Sequence, residues 1–588
     1  MGLIRILSRP TAKPYRSKNI HHSGDRRPTL NDEGQVTWDQ DDIENPLNWS
    51  VARRAYITVC AVLLVVNATF ASASPSGCLE SISASFHVSS EAAGLTITLF
   101  LLGYCAGPLV FAPLSEFYGR RLIFYATFLA YIASNFLCAF APNFGGLLAG
   151  RFLTGTFVSA PLSNAPGVMA DLWGPGERAN AMAGFSLMVW AGPSLGPIIS
   201  GFLQLTKGFE EGWRWSFYVV LMLAGFTAIF MFTIPETYAP ILLYHKAKRI
   251  RKAGIPGYED VRAPIESTDR ALANIYKVAL TRPWIILFDP ISFLCAIYMS
   301  VVYLLLYMLF SIYPIVFQEM RGWNYGVGEL PLLGTMVGPA LGALFIIWDS
   351  RGVNKRITTG GTLEPEDRLR LAMGGGIGLA ASMFWFAWSA NFNHVHWAVP
   401  TVAGVFLSAS MMLIFVSFLT YLVDTYIMYA ASAIAVNTVV RSAAASAAPL
   451  FTSQMFGAMG IGGGGSLIGG LGALLAVIPF AFYKYGKTIR AKSRFAPTED
   501  RSAPGDDELD RAEKGVALEG GGGGGVTSDS QASTGDDDED AERERERAGE
   551  DAEGVDDNPF DYTDDPAAGH RRGDSEQVQG TEQQRSEQ

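Results

Sequence analysis

Roughly twelve apolar runs, each about as long as a bilayer core is thick, decide what this chain can fold into. A helix needs about 20 consecutive apolar residues to cross the hydrocarbon layer. Such runs occupy Ala55–Ala73, Ala92–Leu114, Leu122–Ala141, Leu147–Ala170, Asn180–Leu203 and Trp215–Pro235. After a polar stretch come Trp284–Leu309, Val327–Trp348, Leu371–Ala390, Trp397–Thr420, Ile427–Pro449 and Gly464–Lys484. One or two could be buried helices of a soluble core, but so many at spanning length predict a polytopic membrane protein. The expected fold is all-α: twelve transmembrane helices in two pseudo-symmetric six-helix bundles.

Only 17% of the 588 residues are charged, low for a soluble chain of this length. Much of that charge sits in the first fifty and last hundred residues, which makes the middle more apolar still. The implied organisation is a cytoplasmic tail at 1–54, a bundle at 55–240 and a central cytoplasmic loop at 241–283. A second bundle follows at 284–486, then an acidic tail at 487–588. The net charge of -11 comes largely from that last tail and says little about the bundles. The tail's oligoglycine run (Gly520–Gly525), acidic run (Asp536–Asp540) and Gln/Glu-rich end cannot bury a core, so it should be disordered. Within it, Asn558, Pro559 and Phe560 resemble a short ligand of endocytic adapters. The N-terminal tail reads as unstructured until NPLNWS, Asn45–Ser50.

Five scattered cysteines without CxxC spacing read as packing thiols, with no metal site. The basic, proline-broken start lacks the apolar core of a signal peptide, so insertion should rest on the spans themselves. Lys and Arg set the orientation. With a cytoplasmic N-terminus, Arg53, Arg54, Arg120, Arg121, Arg178, the Lys246–Lys252 cluster, Arg351, Lys355, Arg356, Lys484, Lys487 and Arg490 all fall inside. Lys207, Arg214 and Arg321 fall outside. The positive-inside rule and the even span count both predict cytoplasmic termini.

The stretch GPLVFAPLSEFYGRR, Gly107–Arg121, ends in an acid and two arginines where a helix leaves lipid. Gly119 permits a tight turn, the arginines can fork onto carboxylates, and Glu116 can face the N-terminal end of another helix. Such a cluster can latch the two bundles in one state. It can also be a plain positive-inside anchor. The second half echoes it with GPALGALFIIWDSRG, Gly338–Gly352, as expected of duplicated bundles around a cavity.

APLSEFYGRR, Ala112–Arg121, resembles the signature loop of the major facilitator superfamily. RFLTGTFVSAP (Arg151–Pro161) resembles the fourth-span motif of its drug:proton antiporters, and AGPSLGPIISGFL (Ala191–Leu203) their fifth-span motif. PETYAPILL (Pro235–Leu243), NPLNWS, YPIVFQ (Tyr313–Gln318), YLVDTY (Tyr421–Tyr426) and FYKYGKTIR (Phe482–Arg490) resemble the fungal twelve-span branch, which includes multidrug and polyamine exporters. Ala112, Glu116 and Pro197 depart from the general motifs.

The resemblance implies a latch of Glu116, Gly119, Arg120, Arg121, Asp171, Arg178 and Asp424. It also implies a proton-coupling role for Arg151, since a fixed positive charge can lower the pKa of a nearby carboxylate. Of the carboxylates Glu80, Asp171, Asp289 and Asp424, Asp289 is the leading coupling candidate, and Asp424 is placed to cap span eleven. Gly192, Pro193, Gly196 and Pro197 bend span five and allow close packing; in the resembled antiporters this bend is thought to shape the cavity. Tyr303 and Tyr307 are expected to line the cavity. Asn437 and Arg441, one turn apart, point inward either as substrate contacts or as a structural hydrogen-bonding pair.

The expected function is proton-driven antiport of small amphipathic or cationic molecules out of the cell. No cofactor, no nucleic acid and no enzymatic activity are expected: HExxH, GxSxG and GxxxxGK[ST] patterns are missing. Proton symport for uptake and a non-transporting sensor on the same fold are the alternatives. The plasma membrane is the expected location, with the vacuolar membrane as the alternative.

Overall fold

The computed structural model describes residues 29–31, 34–39, 42–254, 258–267, 272–358, 364–426, 429–493 and 495. Asn558, Pro559 and Phe560, with the glycine and acidic runs, lie outside the described residues. Among those described the protein is helical, with two isolated bridges, Leu30 to Val36 and Gln35 to Arg262.

The first half contains α1 (Val51–Ala73), α2 (Leu79–Phe86), α3 (Ser90–Tyr118), α4 (Arg120–Ala139), α5 (Phe144–Leu172) and α6 (Pro175–Met231). The connector contributes α7 (Ala239–Ala253), α8 (Pro264–Ser267) and α9 (Leu272–Leu287). The second half contains α10 (Pro290–Pro314), α11 (Leu333–Thr358), α12 (Leu369–Ala390), α13 (Ala398–Tyr426), α14 (Ala430–Ser446), α15 (Ala448–Leu475) and α16 (Val477–Lys492). Local chemistry starts several of them: Ser89 accepts from the Ala92 N–H and Asn143 from the Gly146 N–H, satisfying donors that a helix start leaves free.

Nine stretches among the described residues are long and apolar enough to cross a membrane. One of these, Asn180–Met231, holds the fifth apolar run and most of the sixth, and another, Ala448–Lys492, holds the twelfth together with the stretch before it. The chain breaks inside them at Gly208 (φ 79°) and Gly460 (φ 70°), a backbone region that L side chains rarely enter. After Gly208 the chain doubles back, so that a Cβ on Gly212 would lie 2.8 Å from the Gln204 Cα. Helices α5 and α14 carry the fourth and eleventh runs but fall outside the nine.

Each half has a Gly-Pro helix leaning on a serine of its neighbour. A Cβ on Gly107 of α3 would collide with Ser159 Oγ of α5 and sit 2.6 Å from the Thr156 carbonyl oxygen. A Cβ on Gly338 of α11 would collide with Ser408 Oγ of α13 and sit 2.8 Å from the Ala409 nitrogen. Helices in lipid gain little from the hydrophobic effect and associate by such backbone-close packing. The echo read in the sequence is therefore an echo of contacts.

The N-terminal segment corrects one expectation. Residues 34–39 and 42–49 are not structureless: Val36 is buried with Ala247, Ile250, Val261 and Ala263. Lys246 pairs with Asp42 at 2.6 Å and Arg249 with Glu44 at 2.5 Å. The basic α7 presents an apolar strip that a short connector cannot cover alone, and the tail covers it.

The two halves are drawn together at the end opposite Gly119, where residues 74–89 connect α1 to α3. There Ser194 and Thr335 hydroxyls lie 2.8 Å apart, and Thr98 donates to the Ser446 carbonyl at 2.8 Å. Phe209 meets Tyr325 edge-on, with ring centroids 5.5 Å apart. At the Gly119 end Tyr276 of α9 donates to the Val110 carbonyl at 3.3 Å.

Candidate functional site

Gly119 has φ 95°, and a Cβ there would run into Glu236 Oε2. That acid, in the segment after α6, accepts from the N–H groups of Arg120 (3.0 Å), Arg121 (3.1 Å), Thr237 and Tyr238 (both 3.0 Å). A carboxylate at the start of α4 is also favoured by the positive end of that helix. The sequence assigned this job to Glu116. Glu116 instead faces outward and makes no ion pair among the described residues.

Arg120 reaches the other way. It pairs with Asp171 at 3.4 Å, donates to Ser115 Oγ (3.1 Å) and Asn164 Oδ1 (3.2 Å), and lies across Gly167. Arg121 donates to the Tyr125 hydroxyl at 3.1 Å. Arg178 does not pair with Asp171; it donates to the Ala170 and Trp173 carbonyls, both at 3.4 Å, at the end of α5. These partners all belong to the first half or its exit. In this conformation the cluster ties one half together and, among the described residues, bridges to none of the other bundle, against the expected latch. Asp424 is not a cap of the eleventh span either, because α14 starts after Tyr429; it pairs with Arg368 at 2.9 Å.

Arg151 is fully buried, which excludes a snorkelling role. Its Nε donates to the Thr96 carbonyl (2.8 Å), and its two terminal nitrogens to those of Ala71 (2.9 Å) and Ser72 (3.2 Å). The guanidinium lies 4.2 Å from the Phe100 ring centroid. It thus caps the negative C-terminal end of α1, and among the described residues it pairs with no carboxylate.

Arg151 also starts a chain of contacts into the second half. Ser72 takes a hydrogen bond from the Tyr307 hydroxyl at 2.9 Å. Tyr307 meets Tyr303 edge-on, centroids 5.3 Å apart. The Arg441 guanidinium stands 5.3 Å from the Tyr303 ring and 4.8 Å from that of Phe415, and Trp190 of α6 packs edge-on against Phe415. Sequence reasoning named Arg151, Tyr303, Tyr307, Asn437 and Arg441 separately. The fold joins Arg151, Tyr303, Tyr307 and Arg441 by contact and places Asn437 one turn from Arg441 on α14.

The polar atoms at that end of the chain are unmatched. Both side-chain atoms of Asn437, Nε of Arg441 and Nε1 of Trp190 are buried without a hydrogen-bond partner. Native interiors satisfy nearly all such groups, so a cluster of exceptions beside aromatic walls is the pattern of a binding site. The structural-pair reading of Asn437 and Arg441 is not met, since neither amide atom is bonded. Trp190 and Phe415 were missed by sequence reasoning, because nothing in an apolar helix marks which aromatic faces inward.

The fifth-span motif follows Trp190 on α6. Gly192 packs on the Thr69 side chain, and a Cβ on Gly196 would lie 2.8 Å from Ser74 N and 2.9 Å from the Phe70 carbonyl oxygen. Pro193 and Pro197 lie inside α6, whose backbone stays helical past both, and its break comes later, at Gly208. Asp289 is not brought to the Asn437–Arg441 group. It sits at the start of α10, where the Tyr426 hydroxyl and Ser493 Oγ (2.8 Å) donate to it.

A buried group of unmatched polar side chains walled by aromatic rings, set between two helical halves, is the arrangement of a membrane transporter. The chain belongs to the Major Facilitator Superfamily, whose model matches residues 59–449. It is 40% identical over 478 residues to the "Major facilitator superfamily multidrug transporter mdrA" of Aspergillus fumigatus, covering 80% of this chain and 77% of that one. It is 42% identical over 434 residues to "Efflux pump FUB11" of Gibberella moniliformis, covering 73% and 72%. The "Citrinin biosynthesis cluster MFS transporter mrr1" of Monascus ruber is 37% identical over 476 residues, covering 80% and 94%. Among solved structures, the proton:xylose symporter XylE shares the fold, with a TM-score of 0.56 at 17% identity over 74% of this chain and 97% of that one. The protein is a multi-pass membrane transporter with efflux pumps among its relatives, and not an enzyme.

Proposed function

We propose that this transporter exports small amphipathic molecules in exchange for protons, with twelve crossings and both termini in the cytoplasm of a plasma membrane. The observation that carries the substrate reading is the unmatched Asn437–Arg441 group walled by Tyr303, Phe415 and Trp190. Aromatic faces accept a flat or apolar body, and a guanidinium facing no acid favours a partner that carries an acceptor or a negative charge. Drugs and secondary metabolites with such groups fit better than polyamines, whose charge Arg441 would repel. The names of the fungal relatives, a multidrug transporter and efflux pumps, support outward movement. The proton gradient is the proposed driving force and no cofactor takes part.

The test is flux in sealed vesicles for salicylate, ethidium and spermidine, with and without an imposed proton gradient. Gradient-dependent movement of salicylate, reduced at least tenfold by Arg441→Gln, is the expected outcome. Spermidine as the sole compound moved would overturn the substrate assignment, and flux indifferent to the gradient would overturn antiport.

A further inference from the structure

One acid in the spans is used by nothing described so far. Glu329, just before α11, is 1% exposed. Its Oε1 accepts from Gln318 Nε2 at 2.8 Å, and its Oε2 is buried without a partner. Gln318 belongs to a single π-helical turn, Ile315–Glu319, that continues α10. Such turns recur at functional sites because they re-aim a side chain out of the α-helical register.

Glu329 also lies on the seam between the halves. A Cβ on Gly201 of α6 would stand 3.0 Å from Glu329 Cγ and 2.5 Å from the Tyr325 carbonyl oxygen, and one on Gly326 would stand 2.6 Å from the Phe202 ring. The acid is therefore sealed by close contact with the opposite half. Among the described residues no cation pairs with it. From α6 it faces the Gly201 backbone, and from the 74–78 turn the buried Cys78 thiol. On its own side, Arg321 is turned to the Val395 carbonyl at 2.8 Å, and Glu319 points outward. Glu80 is exposed and bonds the Tyr325 hydroxyl.

We propose that Glu329 is a proton-binding residue whose protonation locks this end of the molecule shut. With the seam closed, a charged carboxylate would be buried beside one amide and no counter-charge, an arrangement proteins avoid by binding a proton. The proton arrives from water at that end and forms the O–H bond on Oε2. When the halves part, water reaches Glu329, the O–H bond breaks and the proton leaves to solvent. Closure at this end and occupation by a proton are then one event. For its consequence in transport this rests on the antiport reading; the seam's own response to pH does not.

The experiment places spin labels on the exposed seam positions Leu205 and Val327 (Leu205→Cys, Val327→Cys, in a Cys105→Ser background) and measures their separation across pH in the full chain. The unaltered acid should give a separation that lengthens as pH rises. Glu329→Gln, which keeps the Gln318 hydrogen bond and cannot ionise, should stay at the short separation throughout. A pH response that survives Glu329→Gln, or is missing from the protein with its acid, overturns the proposal.

Salicylate flux in sealed vesicles supplies the second readout. Glu329→Gln, held shut at this end, should lose exchange together with gradient-driven accumulation. Exchange that survives Glu329→Gln would mean that this end opens without the acid's ionisation and would overturn the proposal. If the seam responds to pH while flux ignores the gradient, the antiport reading falls and the assignment of Glu329 stands.

Discussion

The two halves secure the same junction with one layer of contacts repeated and the next inverted. In the first, Arg120 at the start of α4 pairs with Asp171 at the end of α5 (3.4 Å); in the second, Arg368 before α12 pairs with Asp424 near the end of α13 (2.9 Å). That layer is repeated. The next layer is inverted. In the first half the acid comes after the last helix, as Glu236, and takes backbone N–H groups at the start of α4. In the second the acid comes first, as Glu366 before α12, and accepts from Nε and one terminal nitrogen of Arg490 on the last helix (2.8 and 2.9 Å). A carboxylate held by peptide groups needs no cation but depends on the backbone turn that aims them. A forked arginine pair carries its own geometry and tolerates any backbone. Gly119 is therefore indispensable in one half, while in the other Gly486 serves only to make room, a Cβ there lying 2.6 Å from Glu366 Oε1.

The comparison breaks most visibly in the second half. Glu366 is 5% exposed, and Glu366→Ala leaves the Arg490 guanidinium buried without its partner. Removing one member of a buried pair costs about 3–5 kcal/mol. Thermal unfolding in detergent should show the largest fall in Tm for this variant, with Glu366→Gln between it and the parent. An unchanged Tm for Glu366→Ala would mean that the forked pair does not hold the junction.

Glu236→Ala comes next, with a smaller loss. It frees four N–H groups, but Glu236 borders a cavity of about 470 Å³, and water entering there can replace part of what is lost. The expected cost is about 1–3 kcal/mol. Gly119→Ala should do similar damage by another route, since backbone strain of about 1–3 kcal/mol at this positive φ adds to the collision with Glu236. Because both changes remove one contact, the double variant should lose less than the sum of the singles. Additive losses would separate the turn from the acid.

How far the sequence announced this is uneven. The runs, the Gly-Pro echo and the arginines were legible because length and composition alone constrain them. The inverted layer was not. Glu236 lies in the quoted PETYAPILL stretch and Glu366 in a polar connector, but neither shows its partner in sequence, and only the folded chain brings Glu236 to Gly119 and Glu366 to Arg490. Glu329 is a different kind of miss, because a lone acid within an apolar run is a signal in one dimension. Its significance comes from Gly201, more than a hundred residues away, and no local pattern connects them. Arg151 was recognised for its charge, but its partners are backbone carbonyls, which every residue has and no sequence displays.

The smallest expected effects test that lesson directly. Asp171→Asn keeps the volume and loses the charge facing Arg120, whose other bonds to Ser115 and Asn164 remain, so about 1 kcal/mol or less is expected. Glu116→Gln should fall within about 0.5 kcal/mol of the parent, as substitutions of outward-facing residues without partners do. Glu116 is the acid that the motif nominates and Glu236 the one that the turn uses. A Tm for Glu116→Gln as low as that for Glu236→Gln would return the role to Glu116. It would mean that the acid swings onto the junction when the halves change state, and that the first half has two carboxylates competing for one helix end.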